Sequence, residues 1–249
     1  MSHSAPHVVA SKLGLTNPAV AGLLALLLLA DAALILLYWS LEVVGEPSNP
    51  SFDLQLDRGY GEFFQYVQSF WAAALLTWLA VRERVAVLGA WALVCVFFLT
   101  DDWFQLHEHA GFWFAGLVPS LGDVGHDLGE IVWFAAVGLV LVIAVWLTDR
   151  VAPLEWRSVS AVLIVLFGLL IFAGIVVDAV HETILDLPGF GVPLVTLEDG
   201  GEIVVMSFIV TFLFAVATTR HRPTVGGPLH RLVGTRPQDG RRPGKVAAG

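Results

Sequence analysis

The sequence predicts an all-α polytopic membrane protein of six transmembrane helices, built as three helix-loop-helix repeats with both termini cytoplasmic. Three observations predict it. Of 249 residues 57% are hydrophobic and only 14% charged, with a mean hydropathy of +0.77, far more apolar than a soluble domain. The charges cluster between long uncharged runs. Three times an acidic, Pro-bearing loop ends in Gly-Glu and opens an apolar run: Pro50 to Glu62, Pro119 to Glu130 and Pro193 to Glu202.

The uncharged runs place the helices one by one, since a helix needs roughly 20 residues to cross a bilayer. They are Pro18 to Ser40, broken only by Asp31, then Phe63 to Val81, Val85 to Thr100, Ile131 to Thr148, Ser158 to Val177 and Ile203 to Thr219. The first is too long for a signal-peptide core and is read as a retained helix. Residues 1–17 then form a cytoplasmic segment, 18–219 the six-helix domain, and 220–249, rich in Arg, Pro and Gly, a disordered basic tail. Nine Trp fall mostly near helix ends, as interfacial anchors do.

Orientation follows from counting cations by side. Twelve of the 13 Lys and Arg lie with the termini and the turns at Arg82 to Arg84 and Asp149 to Arg157; only Arg58 lies opposite. The positive-inside rule therefore puts both termini in the cytoplasm and the three acidic loops outside, in what is expected to be a prokaryotic plasma membrane. Those outer segments carry 17 acids against the one arginine. Like charges near a membrane boundary cannot all ionise without a counterion, so protons or a metal are expected among them.

Capping competes with that reading at the helix starts. Asp127-x-x-Glu130 and Asp199-x-x-Glu202 have capping-box spacing, and Glu62, Glu130 and Glu202 suit the positive end of a helix dipole, so capping and cation binding stand level there. At the expected ends of the third and fifth helices, Asp101, Asp102, Glu108, Asp178 and Glu182 would sit at the negative end and need a partner. Asp178, His181 and Glu182 share one face at i, i+3 and i+4, and Asp101, Gln105 and Glu108 another at i, i+4 and i+7. Glu62, Gln65 and Ser69 run a polar stripe inward.

In chain order Glu62, His107 with Glu108, Glu130, and Asp178 with His181 and Glu182 resemble the ligand set of ferritin-like dinuclear carboxylate bundles. The departure is in the third helix, where Asp102 precedes His107 by five residues and His-Glu are adjacent. With Glu202 added, these eight residues are the expected metal ligands. Fe, Mn or Zn suits a set containing imidazole, in a mono- or dinuclear site, whereas carboxylates alone would suit Ca or Mg. Asp101 or Asp178 is the candidate proton shuttle, with apolar loops at Phe112 to Leu121 and Leu187 to Leu197 as covers. His109 and His126 are read as ordinary satisfied polar residues.

The segments FFLTDDWFQLHE (Phe97 to Glu108) and LEDGGEIVVMSFIVTFLF (Leu197 to Phe214) are similar to segments of uncharacterised bacterial multi-spanning proteins, a resemblance that implies a topology and no mechanism. Several classes are set aside. No Lys lies in a span to hold a Schiff base, and zincin, P-loop and nucleophile-elbow patterns are missing. The single cysteine, Cys95, rules out an intrachain disulfide or thiolate cage, and nothing suggests nucleic-acid binding. A membrane metalloprotein in contact with lipid and metal, an enzyme in one version, is the leading expectation; a cation or proton-coupled transporter using Asp31 is the alternative, and a scaffold with a solvated acidic rim the third.

Overall fold

The computed structural model describes residues 13–177 and 191–219, without the side chains of Asp123 and residues 175–177. Of the described residues 87% are helical and none is in a strand. The helices are α1 (Pro18–Val44), α2 (Tyr60–Glu83), α3 (Ala86–Phe104), α4 (Leu106–Leu117), α5 (Asp123–Val151), α6 (Leu154–Ile171), which runs on into a π turn (Phe172–Val177), and α7 (Gly191–Thr218). The expected residues Asp178, His181 and Glu182 and the tail 220–249 lie outside the described residues.

Among the described residues five helices are long and apolar enough to cross a membrane: α1, α3, α5, α6 with its π turn to Gly174, and α7. This is the make-up of a multi-pass membrane protein. The expected sixth span, α2, is long enough at 24 residues, but Gln65, Gln68 and Ser69 dilute its apolarity and it falls outside that set. Those polar groups are not wasted on lipid. Gln68 and Ser69 are buried against neighbouring helices, as polar residues of a lipid-embedded bundle must be.

Local chemistry sets the ends of the helices. Asn17 caps α1 by accepting from the Ala19 amide at 2.9 Å, with Pro18 in the first turn, and Gly45 closes it at φ 81°. Pro153 separates α5 from α6, since its ring cannot continue a helix. Arg84 and Gln105 end α2 and α3 in the left-handed region, at φ 56° and 51°. For residues with a Cβ this is uncommon, so the surroundings must hold both turns in place.

α7 is the central helix, with α1, α2 and α6 packed against it and α3 joined through α2. Between lipid-embedded helices close packing replaces the hydrophobic effect as the main attraction. The core reflects this: Leu76 and Leu79 of α2, Leu88 and Trp91 of α3, Leu163 and Phe167 of α6, and Ile209, Phe212 and Leu213 of α7 interlock out of contact with the surface. Trp91 stacks on Phe167 at 5.1 Å between centroids and donates to Ser160 Oγ at 3.0 Å. α1 buries a single stripe, Val20, Leu24, Leu27, Asp31 and Tyr38, and turns its other faces outward.

α4 and α5 form a tight hairpin. A Cβ on Gly129 would lie 2.6 Å from Phe114 Cβ and 2.8 Å from Gly111 Cα, so only glycine lets the backbones approach this closely. The expected cover loop at Phe112 to Leu121 is therefore largely helix α4 with a 3₁₀ turn at Pro119–Leu121.

Candidate functional site

Helix boundaries change the meaning of several acids. The third helix is broken at Gln105, so the expected continuous face through Asp101, Gln105 and Glu108 does not exist. Glu108 falls in the first turn of α4, where the dipole favours it, not at a negative helix end. α5 begins at Asp123 and α7 at Gly191. Asp127, Glu130, Asp199 and Glu202 therefore lie inside helices and not at their starts, and the three Gly-Glu pairs are not equivalent helix starts. Only Glu62 keeps the capping role: it lies in the first turn of α2 and accepts from the Arg58 backbone amide. The part of the expected loop Leu187 to Leu197 that is described is the start of α7.

At this end of the bundle a partly open cavity of about 160 Å³ is bounded by the 45–59 loop, the start of α2, the end of α3 and the stretch of α7 from Asp199 to Ile203. Five carboxylates line it: Asp57 from the loop, Glu62 from α2, Asp102 from α3, and Asp199 and Glu202 from α7. Gln65 joins them, donating from Nε2 to Glu202 Oε2 at 2.9 Å. The other oxygen of Glu202 reaches the π turn, where a Cβ on Gly174 would collide with it. Beneath the acids, Tyr38, Leu54, Val195 and Ile203 form a small apolar floor. Arg58 is the sole Lys or Arg among the described residues of this end, and its guanidinium turns to the Trp103 carbonyl at 3.5 Å.

A second constellation adjoins the first through the sequence neighbours Asp101 and Asp102. Asp101 is fully buried, and both its oxygens are engaged: Oδ2 lies 2.8 Å from His107 Nδ1, and Oδ1 accepts from Trp133 Nε1 at 2.7 Å. The left-handed turn at Gln105 folds α4 back so that His107 reaches Asp101 and stacks on Phe134 at 5.2 Å. The hydrogen bond that the His107 ring donates to the Asp101 carboxylate is the main reason the ring holds its proton to higher pH than usual. Burial opposes this, while the charges of Asp101, Glu130 and Asp102 add to it. With Nδ1 taken by a carboxylate, Nε2 is the nitrogen left to meet a ligand, as in histidines that bind metal with a carboxylate behind them.

The expected ligands thus fall into groups. Glu62 and Glu202 share the cavity; His107 sits beside it on Asp101; Glu108 accepts from Gln105 Nε2 at 2.9 Å, and the same amide reaches Asp57 Oδ2 at 3.2 Å. Glu130 does not line the cavity and lies 3.5 Å from His126 Nδ1. Among the described residues no group of three or more His, Cys, Asp or Glu side chains is placed to hold a metal ion directly. His109 is satisfied by the Gln105 carbonyl at 2.7 Å, whereas His126 Nε2 is buried without a hydrogen-bond partner. Asp57, Asp102, Asp199 and Gln65 complete the cavity without having been expected in a ligand set. The signal for Gln65 was its place in the stripe with Glu62.

The model of the family described as "Domain of unknown function (DUF8692)" matches residues 19–216, nearly the whole helical region. No curated protein and no solved structure matches the chain.

Proposed function

Because the chain belongs to this family, whose description names no activity, we propose its role from its own geometry: it is a cation-binding membrane protein that holds a hydrated divalent metal ion in the acidic cavity between α2, α3 and α7. One observation carries the reading. Five carboxylates from three helices and a loop surround one small space, beside a single arginine already engaged elsewhere. Crowded carboxylates at a membrane boundary cannot all ionise unless positive charge joins them. A volume of about 160 Å³ holds about five waters at about 30 Å³ each, room for an ion that keeps part of its hydration shell.

The lining supplies carboxylate and amide oxygens and no imidazole, which favours a hard cation such as Mg²⁺, Ca²⁺ or Mn²⁺ over Fe or Zn. The positive-inside count supports placing this end outside the membrane, with the termini and the basic turns in the cytoplasm. On this reading α2 is the sixth span, because it packs between α3 and α7 and carries the chain from the acidic to the basic end.

A second reading, a resident Fe, Mn or Zn centre of one or two ions, is favoured by the buried Asp101–His107 pair. It would add Asp178, His181 and Glu182, which follow the π turn. In it Asp101 positions His107 and is not the proton shuttle, since both its oxygens are engaged.

Thermal melts of detergent-purified protein separate the readings. A cavity cation predicts stabilisation by added Mn²⁺ or Mg²⁺, reversed by dialysis, with about 2.7 kcal/mol expected at a hundredfold excess over Kd. A resident centre predicts transition metal retained through dialysis. Indifference to every cation and to chelator would reject both.

A further inference from the structure

We infer that Asp31 is a reversible proton-binding site at the middle of the bundle, connected to the acidic cavity by a column of polar side chains on α2 and α7. Asp31 lies at the midpoint of the 27-residue α1, about 20 Å from either end at 1.5 Å per residue, and is 1% exposed. Its Oδ2 accepts from Ser207 Oγ at 2.8 Å, and the same hydroxyl accepts from Gln68 Nε2 at 2.8 Å. Ser207 and Gln68 are both fully buried.

The column leads outward from there. Gln65 lies one turn from Gln68 on α2 and donates to Glu202 in the cavity, while Ser69 is buried on the same stripe. The rungs Glu202–Gln65 and Ser207–Gln68 therefore stand about 4.5 Å apart along α2. Most of this core is apolar, and a chain of polar rungs ending on a lone carboxylate marks a path through it.

Hydrogen-bond accounting identifies the ligand. Asp31 Oδ1 and Gln68 Oε1 are buried acceptors without partners, although both side chains meet at the one Ser207 hydroxyl. One proton on Oδ1 removes the charge from the membrane interior and turns one of the two orphaned acceptors into a donor. Thr211 Oγ1, one turn deeper on α7, is also without a partner, but it carries its own proton and needs none added. A bare metal cation would need about six oxygens around it, more than Asp31, Gln68, Ser207 and Thr211 provide. In uptake, an O–H bond of hydronium breaks, Oδ1–H forms, water leaves, and the carboxylate charge falls to zero.

The other charged groups on the packed elements do not replace that proton. Glu42 on α1, Glu62 on α2 and Glu198, Asp199 and Glu202 on α7 lie toward the acidic end, and Glu83, the last residue of α2, is paired with Arg82 at 2.6 Å at the far end. The one Lys, Arg or His on these three helices is Arg82, at the far end of α2 and hydrogen-bonded to the Ala217 carbonyl. The inference is independent of the cavity metal, because Glu202→Gln removes a cavity carboxylate and leaves Asp31 intact.

Infrared difference spectroscopy of the protein in lipid nanodiscs, stepped between acidic and alkaline pH with Na⁺ held constant and then varied, tests it. The expected result is a carboxylic C=O band that titrates reversibly, shifts in D₂O, persists in Glu202→Gln and is lost in Asp31→Asn. Ser207→Ala should raise its frequency by removing the hydrogen bond to Oδ2, which reports on the site even if Asp31→Asn fails to fold. Gln68→Leu should slow its exchange with D₂O at least several-fold. No titrating band, a band unaffected by both Asp31→Asn and Ser207→Ala, or a carboxylate band that responds to Na⁺ and not to pH would overturn the proposal.

Discussion

The carboxylate of Asp101 grips the His107 ring across a helix break, Oδ2 to Nδ1 at 2.8 Å, while its other oxygen takes the Trp133 indole N–H. One fully buried side chain thereby ties α3 to α4 and α5. Asp101→Ala strands two donors, each costing about 1–3 kcal/mol when unpaired, and we expect a loss of about 2–4 kcal/mol in denaturant titrations. Asp239→Asn, in the tail, should change nothing.

The same pair makes stability depend on pH. The His107 proton is held more tightly in the folded protein than in the unfolded chain, chiefly by the Asp101 carboxylate. A raised folded pKa contributes stability that is complete below the unfolded value of about 6.5 and disappears as pH rises through the folded value. With chelator present, wild-type Tm should therefore fall as pH rises above about 6.5, and this component should be missing in His107→Gln. A His107→Gln profile parallel to wild type would show that the pair is not charged in the folded protein.

Close approach in the α4–α5 hairpin rests on Gly129. Its Cβ would meet backbone at 2.8 Å, which cannot yield as a side-chain tip can, so Gly129→Ala should cost about 1–3 kcal/mol. Gly138, on the same helix, has nothing within 4 Å of an added Cβ, and Gly138→Ala should be neutral or slightly stabilising. Equal melts for the two variants would contradict the hairpin geometry.

Gly174 offers a different test, because an added methyl would press on the movable end of Glu202 and not on backbone. Gly174→Ala should leave Tm within about 2 °C, since a surface-scale change of about 0.5 kcal/mol shifts it little. Mn²⁺ affinity should nevertheless fall several-fold. Unchanged affinity would mean that Glu202 does not contribute to cation binding.

The apolar runs were enough to place every described helix but α4, because lipid imposes long uncharged segments whatever their neighbours are. What they could not place was where each helix starts and stops. FQLHE contains neither Gly nor Pro, so nothing local announces the left-handed turn at Gln105 that turns Glu108 from a helix end into a helix start. PLVTLEDGGE reads as a loop by composition, yet it is the first part of α7, and its acids project from inside a helix. Glu62, Asp102 and Glu202 were legible as acids near a boundary. Their meeting with Asp57, Asp199 and Gln65 depends on α7 packing against α2, which no local pattern encodes. Ser207, in the middle of an apolar run, gave no sign that it would meet Asp31.

Orientation is open to chemical test. Cys95 is buried, so a cysteine introduced elsewhere reports against a low background. In intact cells an impermeant thiol reagent should label Ser120→Cys, beside the acidic end, and not Thr235→Cys in the tail. The reverse pattern would turn the cavity toward the cytoplasm.

The central claim, that the acidic cavity binds a divalent cation, is tested most directly by titrating Mn²⁺ into metal-free protein and following the free ion by electron paramagnetic resonance. The account predicts one saturable ion per chain, competed by Mg²⁺ or Ca²⁺, weakened at least tenfold in Glu62→Gln and in Glu202→Gln, and unaltered in Asp239→Asn. Absence of saturable binding, with both Gln variants more stable than wild type because a like charge has been removed, would contradict it.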